Sequence, residues 1–497
     1  MTPLPSRWVQ PSAEDAVRCD PADVFAAGTR NHHISNTAYP IAHESTWAPY
    51  RKTRDAHDAA VADAFKDVSD LCLYVHIPFC EVRCSFCEYT VVSGADLDNT
   101  AGYRDALIAE IKRYGQRLND KHRPIRGIDI GGGTPAFMDA DDMEAIVAAL
   151  RQSFDVGDAG ISIETTPRLA AKDATKLKRY VEMGIERMSM GVQVIQPDLL
   201  KVLERDGNGV EHHHRAMDHM RAAGCDRVNL DVMYGFADQT ESSLEATLKH
   251  CIALKPEYIT LYRMRYKLTR ISHQASRVTL EHAKAHARLC REVLESAGFE
   301  ANPGKNTFVH RRVRKVSRSD VGTSDYLTER VIKGTPYLGV GLGAQTFTHT
   351  TISYNDGSVG KNLAPYLRSV AEGRLPIQDL YVLPAVQMMA KFVAVAFYFG
   401  EIDRPSFRKK FGVDVDVAFA DEVAWVKGKG LMHDTSGQSG RSDALSLTAE
   451  GAANFAGVIA LFFAPSVQRT LLSRDPETAT DMETAKQRAL KVLQRSA

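Results

Sequence analysis

The stretch Leu71-Cys72-Leu73-Tyr74-Val75-His76-Ile77-Pro78-Phe79-Cys80-Glu81-Val82-Arg83-Cys84-Ser85-Phe86-Cys87 decides how the rest of this chain is read. Its first half is a β-rich apolar run ending at a proline, which predicts a buried strand over Leu71–His76. Its second half is a C-x3-C-x2-C loop that brings three thiolates together on one short segment. Soft thiolates at this spacing can hold a [4Fe–4S] cluster, and three ligands for four irons leave one iron open. Structural zinc is the rival, with His76 and Glu88 as candidates to complete its ligands. A closed zinc site, however, wants four ligands and usually two C-x2-C pairs. A purely structural cluster would need a fourth cysteine, and none lies close by.

Outward from that strand, β-rich runs alternate with helical patterns as far as about Met264, the signature of βα units around a parallel sheet. The six expected strands are Leu71–His76, Gly127–Ile130, Gly160–Glu164, Arg187–Met190, Arg227–Met233 and Tyr258–Met264. Between them Tyr103, Leu107, Ile108, Ile111 and Tyr114 recur at helical spacing, as do Met143, Ile146, Val147 and Leu150. The fold class is therefore α/β, a partial (β/α)6 barrel. In such barrels the chemistry gathers where strands end. Here the strand ends carry the cysteine loop, Gly131-Gly132-Gly133-Thr134-Pro135, Glu164, Gly191-Val192-Gln193 and Asp231.

The chain divides into a polar extension over 1–60, read as a lid or docking arm, and the (β/α)6 core over 61–270. A variable, substrate-facing segment with a closing strand follows over 271–375. A mainly helical C-terminal domain with a small β-wing occupies 376–497. At 497 residues roughly three units are expected. With 44% hydrophobic and 25% charged residues the composition is that of a globular protein, and 62 Lys+Arg balance 62 Asp+Glu. That balance argues against a nucleic-acid partner. Met1–Ser12 does not resemble a secretory signal, and the apolar runs Phe392–Phe399 and Ala456–Ala464 are too short to span a bilayer of roughly 20 residues. A cytoplasmic location with no membrane partner is expected. Cys19, Cys72, Cys225, Cys251 and Cys290 read as small buried hydrophobes, since that compartment keeps thiols reduced. His212-His213-His214 reads as a solvated helix start, and Arg311–Lys315 as a basic run that covers a loop, with an acidic substrate as the alternative.

In these motifs the chain resembles the radical S-adenosylmethionine (SAM) enzymes, in the branch typified by oxygen-independent coproporphyrinogen III oxidase. The likeness runs from Tyr74–Cys87 through Gly131–Pro135, Glu164, Arg187–Gln193, Arg205 and Asn229–Gly235 to Gly339–Gln345. It implies a radical SAM barrel whose cluster, on Cys80, Cys84 and Cys87, reduces SAM to a 5′-deoxyadenosyl radical. It also implies a second SAM molecule. Tyr74, Gly132 and Glu164 would contact the cluster-bound SAM, and Phe86, Gly133, Thr134, Gln193, Arg205 and Asp231 the second. Arg265 and Gln345 match positions that also approach the cofactors. The residue types suit these tasks, since glycines let backbone N–H groups close in, carboxylates suit ammonium or ribose, and arginine suits a carboxylate.

Tyr89 stands where the founding enzyme has a fourth cysteine, which counts against coproporphyrinogen decarboxylation. The tryptophan-bearing segment of haem-chaperone relatives is also missing near Tyr337. The expected reaction is thus C-methylation or cyclopropanation of an aromatic natural-product precursor, as in antibiotic biosynthesis, with the methyl of the second SAM as carbon source. Coproporphyrinogen III dehydrogenation and haem chaperoning are the alternatives. Tyr89, Tyr262 and Tyr337 are the candidate catalytic hydroxyls near strand ends. The expected partners are a small aromatic substrate and a reductant such as flavodoxin or ferredoxin, with the chain acting as a monomer.

Overall fold

The computed structural model describes residues 8–92, 94–118, 122–266, 269–314, 321–437, 443–475 and 477. The six expected strands are present as β1 (Leu71–Ile77), β2 (Ile125–Gly132), β3 (Ile161–Thr165), β4 (Ile185–Gln193), β5 (Arg227–Tyr234) and β6 (Tyr258–Arg263). Each pairs in parallel with its successor. Two short strands, β7 (Phe299–Glu300) and β8 (Thr307–His310), add antiparallel to the β6 edge. At the other edge β9 (Tyr337–Val340) pairs in parallel with β1. An antiparallel run of β10 (Gln345–Phe347), β11 (Thr351–Asn355) and β12 (Ile377–Val382) continues from it. The result is one 12-stranded sheet whose two edges do not pair with each other, which is the partial barrel expected.

The period-two pattern of β1 explains how this sheet separates two cores. Leu71, Leu73, Val75 and Ile77 point outward into the layer of crossover helices. Cys72 and Tyr74 point the other way, into a core shared with the C-terminal helices. On the outer layer, helix Thr100–Leu118 buries Tyr103, Leu107, Ile111 and Tyr114, and helix Ala140–Ser153 buries Met143, Ile146, Val147 and Leu150. Helix Glu241–Ala253 starts at a reciprocal capping box between Thr240 and Ser243, which satisfies two otherwise orphaned N–H groups.

The C-terminal region is mainly helical. Helix Ala385–Ala396 is buried along its whole length, so the apolar run seen in the sequence is core. The β-wing is a three-stranded antiparallel sheet of β13 (Glu401–Asp403), β14 (Met432–Asp434) and β15 (Ala444–Leu447), with β15 central. Residues 478–497 of the expected C-terminal domain lie outside the described residues. No helix among the described residues is long and apolar enough to cross a membrane.

The N-terminal extension is not a free arm over its described part. Helix Pro21–Arg30 crosses helix Phe455–Leu461 so closely that a Cβ on Gly28 would stand 2.7 Å from the Ala456 carbonyl oxygen. A Cβ on Gly457 would meet Thr29 Oγ1 at 2.5 Å. Buried Asp15 locks the segment down by accepting from Tyr50 Oη (2.8 Å), Gln387 Nε2 (3.0 Å) and the Ser466 amide (3.1 Å).

One buried carboxylate ties the outer helices to the closing strands. Glu110 accepts from the Gly341 amide (2.8 Å), Asn355 Nδ2 (2.7 Å) and Tyr366 Oη (2.6 Å). Burial nevertheless raises its carboxyl pKa to about 7. Glu110→Gln sets an amide N–H against one of these donors and is expected to lower stability by about 1–3 kcal/mol. Because the folded pKa is raised, the folded state binds this proton more tightly than the unfolded chain. The Glu110 contribution therefore declines as pH climbs from about 4.5 to about 7, and the gap between wild type and variant should narrow across that window. Denaturant unfolding at pH 5 and pH 8 measures both; a gap that widens with pH contradicts the assignment.

Candidate active site

The C-terminal ends of β1 to β6 open into a cavity of about 1050 Å³. Its wall takes Cys80, Cys84, Phe86, Cys87 and Tyr89 from the loop after β1, and Gly132, Gly133 and Thr134 from the loop after β2. Glu164, Gln193 and Asp231 come from the ends of β3, β4 and β5. Arg205 comes from the connection after β4, and Tyr262 and Arg265 from β6 and just beyond it. Residues scattered over more than 180 positions of sequence thus face one space, because parallel strands deliver all their C-terminal ends to one side.

The cysteine loop and the glycine loop are clamped together by backbone. The Gly133 amide donates to the Ile77 carbonyl (2.8 Å) and the Thr134 amide to the Phe79 carbonyl (2.7 Å). A Cβ on Gly133 would stand 2.6 Å from the Phe79 oxygen and 3.0 Å from Cys80 Sγ. Gly132 has φ of +123°, and a Cβ there would run into the His76 ring. Thr134 Oγ1 lies 3.3 Å from Cys80 Sγ, and Arg205 Nη1 donates to Cys84 Sγ at 3.4 Å.

The residues present fit the cluster that the motif implies. Cys80, Cys84 and Cys87 carry free thiols that are half-buried on the cavity wall. Burial pushes the Cys80 thiol up to about 12 and raises Cys87 as well, so these thiols keep their protons until a metal takes the protons' place. The two candidates for a fourth zinc ligand are engaged elsewhere. His76 Nε2 lies 2.7 Å from the Thr90 carbonyl oxygen and Nδ1 3.1 Å from Tyr74 Oη, while Glu88 is ion-paired with Arg265. Among the described residues no three His, Cys, Asp or Glu side chains converge as ligands of a single ion. A cluster, by contrast, spreads its three sulfurs over three irons.

The rest of the wall is built for a zwitterion. Glu164 is open only to the cavity and accepts from the Gly132 amide at 3.2 Å. Burial, with the charges of Asp231 and Asp129 behind it, raises its pKa to about 8. Asp231 is raised to about 6, chiefly by burial, while accepting from Ser189 Oγ (3.0 Å) and Asn229 Nδ2 (2.7 Å). Neither carboxylate has an ion-pair partner among the described residues, and an amino or sulfonium group would supply one. Gln193 adopts φ of +68° at a break in the β4–β5 register, a strained conformation for a side chain with a Cβ. Its Oε1 and Arg205 Nε are buried with no hydrogen-bond partner among the described residues. A ligand carrying a donor and a carboxylate would satisfy both, so the wall fits SAM.

Three expected site residues do not reach the cavity. Tyr337 is buried, its Oη donates to Gln345 Oε1, and the Arg330 guanidinium lies over its ring at 4.8 Å. Strand alternation turns Tyr337 toward the C-terminal core while Leu338 and Val340 face the outer helices, so neither it nor Gln345 lines the site. Tyr74 is also not part of the cavity lining, its Oη lying 3.1 Å from His76 Nδ1. The expected basic loop is a short helix over Arg311–Arg314, in which Arg311 is paired to Glu300 and Arg312 to Glu257 away from the cavity. Lys315 lies outside the described residues. His213 is buried in helix Val210–Ala222 against His250, at 2.8 Å between ring nitrogens. Sequence reading missed His32 and Arg263, which line the cavity in mutual contact. No motif marks either residue.

Residues 74–251 match the family model described as the radical SAM superfamily. The oxygen-independent coproporphyrinogen III oxidase of Salmonella typhimurium is 31% identical over 229 residues, 46% of this chain and 48% of that protein. The chain thus spans about half the length of that relative. The haem chaperone HemW of Bacillus subtilis is 25% identical over 73% of this chain and 92% of its own length. The structure of Escherichia coli coproporphyrinogen III oxidase matches at a TM-score of 0.69 and 22% identity, covering 86% of this chain and 96% of that one, which shows a common fold. The expectation of a C-methyltransferase or cyclopropanase of antibiotic biosynthesis is overturned by these relatives, which are named as coproporphyrinogen oxidases and haem chaperones. That expectation leaned on Tyr89, an exposed residue beyond the triad that leaves the three sulfur donors unaltered, and on the missing tryptophan-bearing segment near Tyr337. Over residues 74–251 in sequence, and in overall fold, the chain is thus similar to the radical SAM superfamily and to its coproporphyrinogen III oxidase and HemW branch.

Proposed function

We propose that the chain is a radical SAM enzyme that carries out oxidative decarboxylation of a porphyrinogen, as its coproporphyrinogen oxidase relatives are named to oxidise coproporphyrinogen III. The observation that carries this reading is the single cavity in which the cysteine triad, the glycine loop and the paired carboxylates Glu164 and Asp231 meet. When bound, a [4Fe–4S] cluster on Cys80, Cys84 and Cys87 and a SAM beside it would supply a hydrogen-abstracting 5′-deoxyadenosyl radical.

The chain's own residues orient and shield. Gly132 and Glu164 hold the amino end of the first SAM, with Glu164 giving up its proton to pair with that cation. Phe86, Gly133, Thr134, Gln193, Arg205 and Asp231 form the seat of a second SAM, with Arg205 taking its carboxylate. Arg265, neutralised by Glu88, sets the position of the loop after Cys87. Tyr89 and Tyr262 are the proposed substrate-facing hydroxyls of the cavity. A small one-electron donor such as flavodoxin or ferredoxin serves as reductant, and the chain acts alone.

Anaerobically reconstituted protein given dithionite, SAM and coproporphyrinogen III should release carbon dioxide together with 5′-deoxyadenosine. Haem uptake without 5′-deoxyadenosine would favour the chaperone reading instead. Cys84→Ala should lose the iron–sulfur absorbance and SAM cleavage together, and cleavage retained in that variant defeats the ligand assignment. SAM affinity should rise as pH increases through about 8, where Glu164 ionises and can pair with the ligand's cation. Glu164→Gln should bind SAM about 10- to 100-fold more weakly, with that pH dependence flattened. Equilibrium dialysis between pH 6.5 and 9 reads both, and an unchanged profile in the variant removes Glu164 from the SAM site.

A further inference from the structure

Arg263 ends β6 and lines the cavity, but no Asp or Glu among the described residues forms an ion pair with it. Arg205 shares this trait, its bonds going to Cys84 Sγ and the Gly191 carbonyl, while other arginines of the wall are paired. Arg265 is paired with Glu88, Arg168 with Glu81 at 3.5 Å and Arg291 with Glu295 at 2.6 Å. The side-chain partner of Arg263 is His32, whose Nδ1 accepts from Arg263 Nη2. Burial and the adjacent guanidinium push the His32 pKa down to about 3, so the ring is neutral and offsets none of the positive charge. Burial also works against the charge on Arg263 itself.

The position of this guanidinium is built rather than incidental. His32 belongs to the turn after helix Pro21–Arg30, and its ring lies 4.0 Å from that of His33. His33 in turn stands edge-on to Tyr266 at 5.5 Å. The N-terminal segment thus reaches the cavity wall and holds the Arg263 fork at the end of β6. A largely buried guanidinium without an anion is costly, and its planar pair of N–H donors matches a carboxylate.

We propose that Arg263, oriented by His32, anchors a carboxylate of the substrate. The anchor rests on the porphyrinogen reading only for the identity of the molecule that carries that carboxylate. His32 is a positioning residue that acts through Arg263. The other carboxylate available to the site is that of SAM, and the test separates the two.

Full-length, cluster-reconstituted wild type, Arg263→Met, Arg263→Lys and His32→Ala are titrated anaerobically with coproporphyrin III, with its tetramethyl ester and with SAM. Wild type should prefer the acid over the ester. Arg263→Met should weaken acid binding about 10- to 100-fold and leave ester and SAM binding unchanged. Arg263→Lys, which keeps the charge but not the fork, should fall between, and His32→Ala should weaken acid binding alone by a smaller factor. The proposal is overturned by the absence of an acid preference in wild type, by equal loss of acid and ester binding in Arg263→Met, or by a loss of SAM affinity in its place. Should wild type bind the acid through Arg263 but fail to consume coproporphyrinogen III, the reaction assigned above fails and the anchor stands. Should Arg263→Met consume it with an unchanged KM, the anchor fails and the reaction stands.

Discussion

The contact on which the site depends is the seating of the Gly131–Pro135 loop against the cysteine loop. Two backbone hydrogen bonds, from Gly133 to Ile77 and from Thr134 to Phe79, hold the segments so close that a methyl group at Gly133 would overlap Cys80 Sγ and the Phe79 carbonyl. The approach does two things at once. It fixes the direction of the first thiol, and it leaves the neighbouring Gly132 amide facing the cavity, where it meets Glu164. The run of glycines is therefore a packing requirement of the site as much as a turn signal.

Around that contact the electrostatics are deliberately unbalanced. Glu164 and Asp231 sit at the ends of β3 and β5, one strand apart, with Asp129 further along β2. Buried like charges raise one another's proton affinity, and the cavity holds no ion pair for either of the first two among the described residues. Gln193 Oε1 and Arg205 Nε complete the pattern as buried atoms with no hydrogen-bond partner among the described residues. Wall groups that cannot satisfy one another are left to be satisfied by a ligand, and their signs are those of a zwitterion's complement.

The N-terminal segment changes how the cavity is bounded. Its helix is bolted to the C-terminal helices through the Gly28–Gly457 crossing and the Asp15 network, and the turn that follows brings His32, Ser35 and Asn36 to the wall. Asn36 Oδ1 lies 3.4 Å from Arg265 Nη1 and His32 contacts Arg263, so the segment touches both the arginine that ends the sixth strand and the one just beyond it. A segment without hydrophobic period thereby contributes to the most polar part of the site.

The cysteine triad, the six strands and the residues at their ends were legible in the sequence because each is local. Thiol spacing, apolar runs and glycine clusters act over a few residues, and parallel βα topology then sends every strand end to the same face. Tyr337 and Gln345 were misplaced because strand alternation, not proximity to a motif, decides which side of a sheet a residue faces. Tyr89 was over-read because one position next to a motif says little about a reaction governed by the whole cavity. The sequence by itself determined the trio of thiols and the barrel that presents them. Only the tertiary structure decided which charges stay unpaired. Whether Arg265 meets Glu88 while Arg263 meets a neutral histidine depends on contacts between segments more than 170 residues apart.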